Sequence, residues 1–365
     1  MIILDLSMFE YLLALNAHPK IGSQTIKKML AVFCDNPKKL WESDGSKIGE
    51  FCGDKVKRIF LEAKNTYIPE NEVEKLKKFD IGYITIFDKE YPEIMKEMYD
   101  APVILYLKGN TKAFKSSCLA VVGSRKFTSY GKRVAQKLSK DCAEAGLSIV
   151  SGLALGIDAE AHRAALDVGG ITIGVLGCGL DKIYPSSNQG LANDIVNNGG
   201  LIISEYPPGT EAFKQNFPAR NRIIAGLSRG ILVIEAAEKS GALITALAGL
   251  EYNRDIFAIP GPIDSETSQG CNYLIQNGAK LITKAEDILS ELNIEMLKST
   301  EKIKELIPES EEEKKLIEIL SRDEVHPDVI VQESGMNVIA LNSLLTIMEM
   351  KGLIENVGGR YRRKL

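Results

Sequence analysis

The rhythm of hydrophobic positions changes three times along the chain. From residue 7 to about residue 66 it is helical: Leu12, Leu13 and Leu15 open an apolar face that Ile26, Met29, Leu30 and Phe33 repeat. Between these groups lies His18-Pro19-Lys20-Ile21-Gly22-Ser23, a short turn with Ser23 available as N-cap. Two helices joined in this way fit a helix-hairpin-helix unit, whose turn amides can grip one phosphate, and equally a plain helical bundle. From Phe79 to Lys108 the runs become short and strand-like, Tyr83 to Phe87 and Val103 to Leu107, punctuated by Tyr91-Pro92 and Ala101-Pro102. They predict a connector that lays one or two strands beside the next domain.

Alternation then takes over. Strand-like runs recur at Leu119–Val122, Ser148–Val150, Ile171–Leu176, Leu201–Ser204, Ile231–Glu235, Asp255–Ile259 and Lys280–Thr283. Helical stretches at Gly131–Glu144, Ala159–Asp167, Gln189–Asn197 and Leu243–Tyr252 separate most of them. This order predicts an α/β fold, a doubly wound and mostly parallel sheet covered by helices on both faces. A polar, Glu/Lys-rich linker with Pro308 follows. Beyond it, three helical runs and a hairpin around Gly358-Gly359 predict a winged helix. The expected organisation is a helical domain (1–70), a connector (71–117), the α/β domain (118–289), a linker (290–310) and the winged helix (311–365).

Composition narrows the class. A length of 365 residues allows two or three domains. No apolar run approaches the ~18 residues of a membrane span. The N-terminus has neither a basic n-region nor a cleavage site, so the expected location is cytoplasmic, with no membrane partner. The six cysteines are scattered without a CxxC pair and the three histidines lie in different regions, which predicts neither a disulfide framework nor a metal site. A net charge of -4 is awkward for a nucleic-acid binder, yet Lys112 to Arg229 holds 14 Lys/Arg against 9 Asp/Glu. A basic face on an acidic chain is therefore compatible with the composition.

In a parallel α/β sheet, ligands sit beyond the carboxyl ends of the strands. Four of those ends carry small or hydroxyl residues: Gly123-Ser124-Arg125, Ser151-Gly152-Leu153, Gly177-Cys178-Gly179 and Lys239-Ser240-Gly241. Glycine lets an oxygen approach the backbone, serine adds a donor, and a following helix N-terminus favours negative charge. A nicotinamide cofactor would require GxGxxG after the first strand and an acidic residue after the second, and both are missing. No GxxxxGK[ST] is present either, so no nucleotide cofactor is expected.

A second run, Phe213-Lys214-Gln-Asn-Phe217-Pro-Ala-Arg220-Asn221-Arg222, places aromatics among cations just before an apolar helix. In isolation it fits a solvated loop. Beside the Gly/Ser loops it predicts arginines on phosphates, with Asn221 orienting them and Phe217 against a base. Asp158, Asp181, Glu205 and Glu235 lie near strand ends but make no catalytic set, so no catalytic residue and no enzyme activity is expected. Several phosphate loops without a catalytic set suit a polymer better than a mononucleotide, and an aromatic among cations suits single-stranded DNA.

These motifs resemble the DprA/Smf family, DNA-processing proteins of bacterial natural transformation. The resemblance is tightest in Ala120-Val-Val-Gly-Ser-Arg125, Val150-Ser-Gly-Leu-Ala-Leu-Gly-Ile-Asp158, Gly177-Cys-Gly-Leu-Asp-Lys-Ile-Tyr-Pro185, Phe217-Pro-Ala-Arg-Asn-Arg222 and Ser240-Gly-Ala-Leu-Ile-Thr-Ala246. It extends through Phe257-Ala-Ile-Pro-Gly261 and Gln269 to Gly278. It implies a helical SAM-like domain, an extended Rossmann-like domain and often a C-terminal winged helix. It also implies cooperative binding and protection of single-stranded DNA, handover to RecA with relief of the block by single-strand-binding protein, and a homodimer. Carried onto this sequence, Arg125 is a main phosphate clamp. Arg220, Asn221 and Arg222 line the same pocket, with Phe217 against a base. Gly123 and Ser124 belong to the first loop, Ser151, Gly152, Ser240 and Gly241 supply donors, and Lys182 and Lys214 are rim cations. Leu243 to Tyr252 is the candidate for part of the dimer surface.

The expected recognition helix of the tail, Asn337 to Lys351, carries Lys351 as its one cation. That composition suits protein contacts, or weak backbone binding through Arg360, Arg362, Arg363 and Lys364, better than base reading. Two rival readings fit the same sequence. One is a Rossmann-type nucleotide hydrolase of the phosphoribohydrolase kind, although Gly241-Ala-Leu-Ile-Thr245 lacks that group's PGGxGTxxE pattern. The other is an adaptor with a vestigial pocket.

Overall fold

In a computed structural model that describes residues 8–294, 311–320, 325–350, 353–357 and 359–363, the chain divides into two compact units, Met1–Met296 and Leu297–Leu365. Among the described residues of the first, nine strands form one sheet. They are β1 (Gly82–Thr85), β2 (Ile104–Gly109), β3 (Cys118–Val122), β4 (Ser148–Ser151), β5 (Thr172–Leu176), β6 (Leu201–Ser204), β7 (Gly230–Val233), β8 (Asp255–Ala258) and β9 (Lys280–Leu281). Their spatial order is β1-β2-β6-β5-β4-β3-β7-β8-β9. β3 to β9 pair in parallel, and the two connector strands add an antiparallel edge through β2 against β6.

The sequence of β3 explains why both faces are covered. Every residue of Cys118–Val122 is buried. Leu119 and Val121 join the core under the helices Ser129–Glu144 and Ile157–Leu166, through Leu138, Cys142, Ala161 and Ala165. Ala120 and Val122 face the opposite layer, with Ile223 of the helix Asn216–Leu227 and Ala246 of the helix Gly241–Glu251. A strand buried on both sides reads as a continuous apolar run, as this one does. Chain order reverses at β3, which has β4 on one side and β7 on the other. That is the topological switch point of a doubly wound sheet.

The helices Glu10–Asn16, Ser23–Val32, Pro37–Glu42, Ser46–Cys52, Asp54–Thr66 and Pro69–Lys78 carry the N-terminal pattern. Their core residues Leu12, Leu15, Ile26, Met29 and Phe60 are continuous with Tyr106, Leu176, Leu191 and Ile202 of the sheet layer. The change near residue 70 is thus a change of element type within one core. Two local expectations differ. The N-cap of Ser23–Val32 is Gly22, and the Ser23 hydroxyl instead accepts from Val103 N–H at 3.0 Å, fastening the helix to the connector. In the preceding turn, Lys20 N–H donates to His18 Nδ1 (3.3 Å) and Ile21 N–H to the His18 carbonyl (2.9 Å). Those two amides are taken by His18 and are not open to a phosphate.

The second unit contains helices Glu311–Leu320, Pro327–Ser334 and Val338–Met350 and the hairpin β10 (Ile354–Val357) and β11 (Arg360–Arg363). Leu316, Ile330, Leu341, Leu345, Met348 and Ile354 form its own core, and Val325 bridges to Tyr361 beside the wing. This is a winged helix. Arg360 and Arg362 are exposed on the wing; Lys351, Lys364 and residues 295–310 of the linker lie outside the described residues. Among the described residues no helix is long and apolar enough to cross a membrane.

Candidate functional site

A cleft of about 290 Å³ opens at the switch point, between the loops that follow β3 and β7. Gly123, Ser124 and Arg125 line one side, Ser240, Gly241 and Thr245 the other, and Phe217, Arg220 and Asn221 form its floor and shoulder. A smaller cavity of about 50 Å³ shares Arg125, Ala154, Phe217 and Arg220 with it and is closed by Leu155, Gly177, Tyr184 and Pro185. The four Gly/Ser strand ends therefore gather around two adjoining hollows.

Local chemistry fixes these loops. Gly156 has φ +92°, and a Cβ there would lie 2.3 Å from the Ser124 carbonyl oxygen, so the turn after β4 admits only glycine while it packs on the loop after β3. The buried Glu235 carboxylate accepts from Thr128 N–H (2.9 Å) and the Thr128 hydroxyl (2.5 Å), and Thr128 caps the helix Ser129–Glu144. The carboxylate of Asp158 accepts from Gly152 N–H at 3.1 Å, and Asn188 donates to the carbonyls of Leu153 (2.9 Å) and Ala154 (3.3 Å). Ser240 is the N-cap of Gly241–Glu251, its hydroxyl accepting from Ala242 N–H at 3.2 Å.

The run from Phe217 to Arg222 lies inside the helix Asn216–Leu227, not in a loop before it. At 100° per residue, Phe217, Asn221 and Ile224 share a face and all line the cleft. Arg220 is 4 % exposed; its guanidinium donates to the carbonyls of Gly152 (2.5 Å) and Val175 and, through Nε, to Asn221 Oδ1 (3.2 Å). A Cβ on Gly152 would lie 2.5 Å from that guanidinium, so the glycine makes room for the arginine. Burial lowers the Arg220 pKa to about 10 while Asp158 pulls it back up, which leaves a protonated cation beneath the site at neutral pH. Burial raises the Asp158 carboxyl, and Arg220 opposes that shift.

Above this cation sits an aromatic and guanidinium cluster. Arg125 stands 5.5 Å and Arg220 6.0 Å from the centre of the Phe217 ring, and Tyr184 tilts against the same ring at 5.6 Å. Arg125 is exposed. Asn221 bridges the walls by donating to the Gly241 carbonyl at 3.2 Å. Tyr184 and Asn188 join the site without a signal of their own in the sequence. Nothing in the local pattern around Tyr184-Pro185 signals that its ring meets Phe217 across 33 residues.

Other expected residues fall elsewhere. Ser151 is fully buried and its hydroxyl donates to the Val121 carbonyl at 2.6 Å, so that group ties β4 to β3 and is not offered to a ligand. Arg222 is two residues, or 200°, from Arg220 and faces away from the cleft. It pairs with Glu205 and Asp100, whose carbonyl it also contacts at 2.9 Å. The expectation that Arg222 clamps phosphate in the same pocket is corrected by this helical geometry. Lys182 and Lys214 are exposed on neighbouring loops and outside the lining of both hollows.

The remaining carboxylates near the strand ends are also committed to structure, Glu205 to Arg222 and Asp181 to Gly209 N–H at 2.8 Å. Among the described residues no group of His, Cys, Asp and Glu is arranged to hold a metal ion. What the arrangement offers is exposed and buried positive charge, a helix N-terminus and a ring face, a chemistry suited to anions joined to flat groups.

Comparison with known proteins agrees with this chemistry. The family model for DNA recombination-mediator protein A matches residues 82–293, and that for the DprA winged helix domain matches residues 303–360. DNA processing protein DprA of Streptococcus pneumoniae is 46% identical over 245 residues, 67% of this chain and 85% of the relative. Protein Smf of Escherichia coli is 40% identical over 279 residues, 75% of each chain. The X-ray structure of the Streptococcus pneumoniae protein superposes with a TM-score of 0.70 at 40% identity, covering 78% of this chain and 99% of that one. A structure of DNA processing protein A from Helicobacter pylori, described for its single-stranded DNA binding mode, gives 0.53 at 33% identity over 58% of this chain and 95% of that one. The chain belongs to the DprA/Smf family of DNA-processing proteins.

Proposed function

We propose that the protein binds single-stranded DNA non-catalytically along the cleft at the switch point. The Phe217 ring flanked by the Arg125 and Arg220 guanidiniums carries this reading. A base stacks on an aromatic face whatever its identity, the exposed Arg125 takes an adjoining phosphate, and the buried charge of Arg220 adds attraction from beneath. The N-terminus at Ser240-Gly241 adds a second anion seat on the opposite wall. A relative described as a single-stranded DNA binder supports the choice of ligand. Commitment of Asp158, Asp181, Glu205 and Glu235 to structural hydrogen bonds leaves a nucleotide hydrolase without an acid or a base, which supports the non-enzymatic reading.

On the same reading the protein protects incoming DNA and loads RecA during transformation and recombination, and it works as a homodimer. Membership of the DprA/Smf family supports the first role. The exposed Ile244, Leu247 and Leu250 on the helix Gly241–Glu251 support the second. Lys182 and Lys214 serve as outlying cations that a strand meets on leaving the cleft.

Fluorescence anisotropy with matched single- and double-stranded oligonucleotides tests the central claim. The expected result is preference for the single strand, weakened by salt through counterion release and lost in Arg125→Ala. Equal affinity of the wild type and Arg125→Ala for oligo-dT would exclude the cleft as the binding site. RecA filament formation on DNA coated with single-strand-binding protein, with and without this protein, tests the loading role.

A further inference from the structure

We infer that Asp100 is a clasp that fixes the floor of the cleft against one of its sides, a positioning residue acting through Arg222 and Tyr252. The inference rests on the cleft being the single-stranded DNA site. The helix Asn216–Leu227 forms its floor and the start of the helix Gly241–Glu251 one side, and these are the two walls that the clasp joins. Consecutive residues of the first helix tie both ends of the second. At the front, Asn221 donates to the Gly241 carbonyl at 3.2 Å. At the back, Arg222 reaches the Asp100 carbonyl at 2.9 Å and its carboxylate at 3.5 Å, and the Tyr252 hydroxyl donates to the same carboxylate at 2.8 Å. Tyr252 is the C-cap residue of Gly241–Glu251.

Asp100 is itself held in place. Gln24 donates to the Tyr99 carbonyl at 2.7 Å, and the Tyr99 ring leans on Tyr252 at 5.9 Å. Arg254 bonds the Ile94 carbonyl at 2.7 Å and Glu97 at 2.9 Å. Met98 packs so closely on Gly226 that a Cβ there would lie 2.1 Å from its sulfur. The segment is therefore wedged behind the walls as a fixed spacer, while Glu205 is a second carboxylate on Arg222.

None of Asp100, Arg222 and Tyr252 lines the cleft. Asp100 and Arg222 are each under one-fifth exposed. Apolar residues can stabilise such a site as well as ion pairs do, whereas ion pairs and hydrogen bonds specify one geometry. The geometry specified here is the relation of Phe217, Arg220 and Asn221 to Ser240 and Gly241. A strand whose phosphates must meet both walls at once needs that relation fixed in advance.

Tyr252→Phe removes one hydroxyl with no change of shape, and Asp100→Asn removes the charge facing Arg222. Hydrogen exchange by mass spectrometry on the full chain without DNA should show faster exchange confined to residues 217–224 and 241–246 in both variants. Affinity for oligo-dT should fall several-fold in Tyr252→Phe, with the melting temperature lowered by no more than the loss of one hydrogen bond accounts for. Unaltered exchange in those two segments overturns the clasp. Exchange that rises throughout the chain with a larger drop in melting temperature also overturns it, since Asp100 would then serve stability alone. Altered exchange with wild-type affinity in both variants removes the positioning role. A wild type that does not bind oligo-dT sinks the DNA reading, and the exchange data still judge whether the walls are clasped.

Discussion

Arg125 holds its guanidinium 5.5 Å from the centre of the Phe217 ring, and the ring leans on Tyr184 at 5.6 Å. The exposed cation thus borders a ring already backed by a second aromatic and, at 6.0 Å, by buried Arg220. A side chain at the solvent boundary can be removed without opening the core, so Arg125→Ala is expected to keep the wild-type melting temperature. It should weaken oligo-dT binding at least about tenfold and lower the salt slope by about one, the signature of one lost phosphate contact. Phe217→Leu should cost about 1–3 kcal/mol of binding and leave the slope alone, because stacking releases no counterion. Titrations at several salt concentrations separate the two effects.

Arg220→Ala behaves differently. Removing the guanidinium strips donors from the Gly152 and Val175 carbonyls and takes the neighbouring cation from Asp158. Each buried acceptor left unpaired costs about 1–3 kcal/mol. Urea denaturation should show a clear loss of stability, so reduced DNA binding by this variant reports folding and contact together. Stability equal to wild type would mean that Arg220 is not the internal brace its bonds indicate.

Arg222 is a clean contrast to Arg125. Replacing it with Met leaves the Glu205 and Asp100 carboxylates, both under one-fifth exposed, without their cation, and breaking a buried pair costs at most about 3–5 kcal/mol. The share owed to Glu205 should return in the double variant Arg222→Met with Glu205→Gln, measured by the same denaturation, while the share owed to Asp100 stays lost. Neither variant should change the salt slope of DNA binding, since Arg222 reaches no phosphate from the rear face of its helix.

These contrasts mark how far the sequence could be read. Alternating apolar runs sufficed for the parallel sheet, because strands such as Cys118–Val122 are buried on both faces and cannot hide their pattern. The Gly/Ser strand ends were legible for the same topological reason. Direction was not legible. Arg-Asn-Arg reads as three equal polar residues until helical periodicity turns Arg222 away, and the start of that helix was obscured by Phe217-Pro218. Ser151 could not be told from Ser240 by type, although one hydroxyl serves β3 and the other a helix N-terminus. Contacts distant in sequence, such as Tyr184 with Phe217 or Asp100 with Tyr252, leave no local pattern at all.

His162 supplies a pH dependence with a defined sign. It is fully buried, and its Nδ1 donates to the Thr172 hydroxyl at 2.6 Å, since that hydroxyl itself donates to the Ile149 carbonyl. Burial, reinforced by Arg220 and Arg163, pulls its pKa from 6.5 down to about 3. A depressed folded-state value contributes stability that is present above the unfolded pKa and is lost as pH falls toward the folded one. Between about pH 6.5 and 3 the unfolded chain binds a proton that the native chain refuses, which takes about 1.4 kcal/mol per pH unit. His162→Asn keeps a donor toward Thr172 and cannot titrate, so its stability should fall less steeply than wild type over that window. Parallel slopes in the two denaturation series would rule out the buried histidine as the source.

The helix Gly241–Glu251 turns Ile244, Leu247 and Leu250 outward at spacings of three residues, each between 43 and 56 % exposed. Ile244 lies at the cleft, but Leu247 and Leu250 are outside its lining, so they can be changed without touching the DNA site. If this stripe joins two copies, Leu247→Glu with Leu250→Glu buries two charges against an apolar partner and should convert a dimer to a monomer in sedimentation velocity. An oligonucleotide short enough for one cleft should bind the monomer as it binds the wild type. A longer strand able to reach both clefts should lose far more, because linking two sites raises apparent affinity by about 10²–10⁴ without any new contact. Unchanged sedimentation would remove the stripe from the interface. A monomer with undiminished affinity for the long strand would mean instead that one cleft carries the whole of the binding.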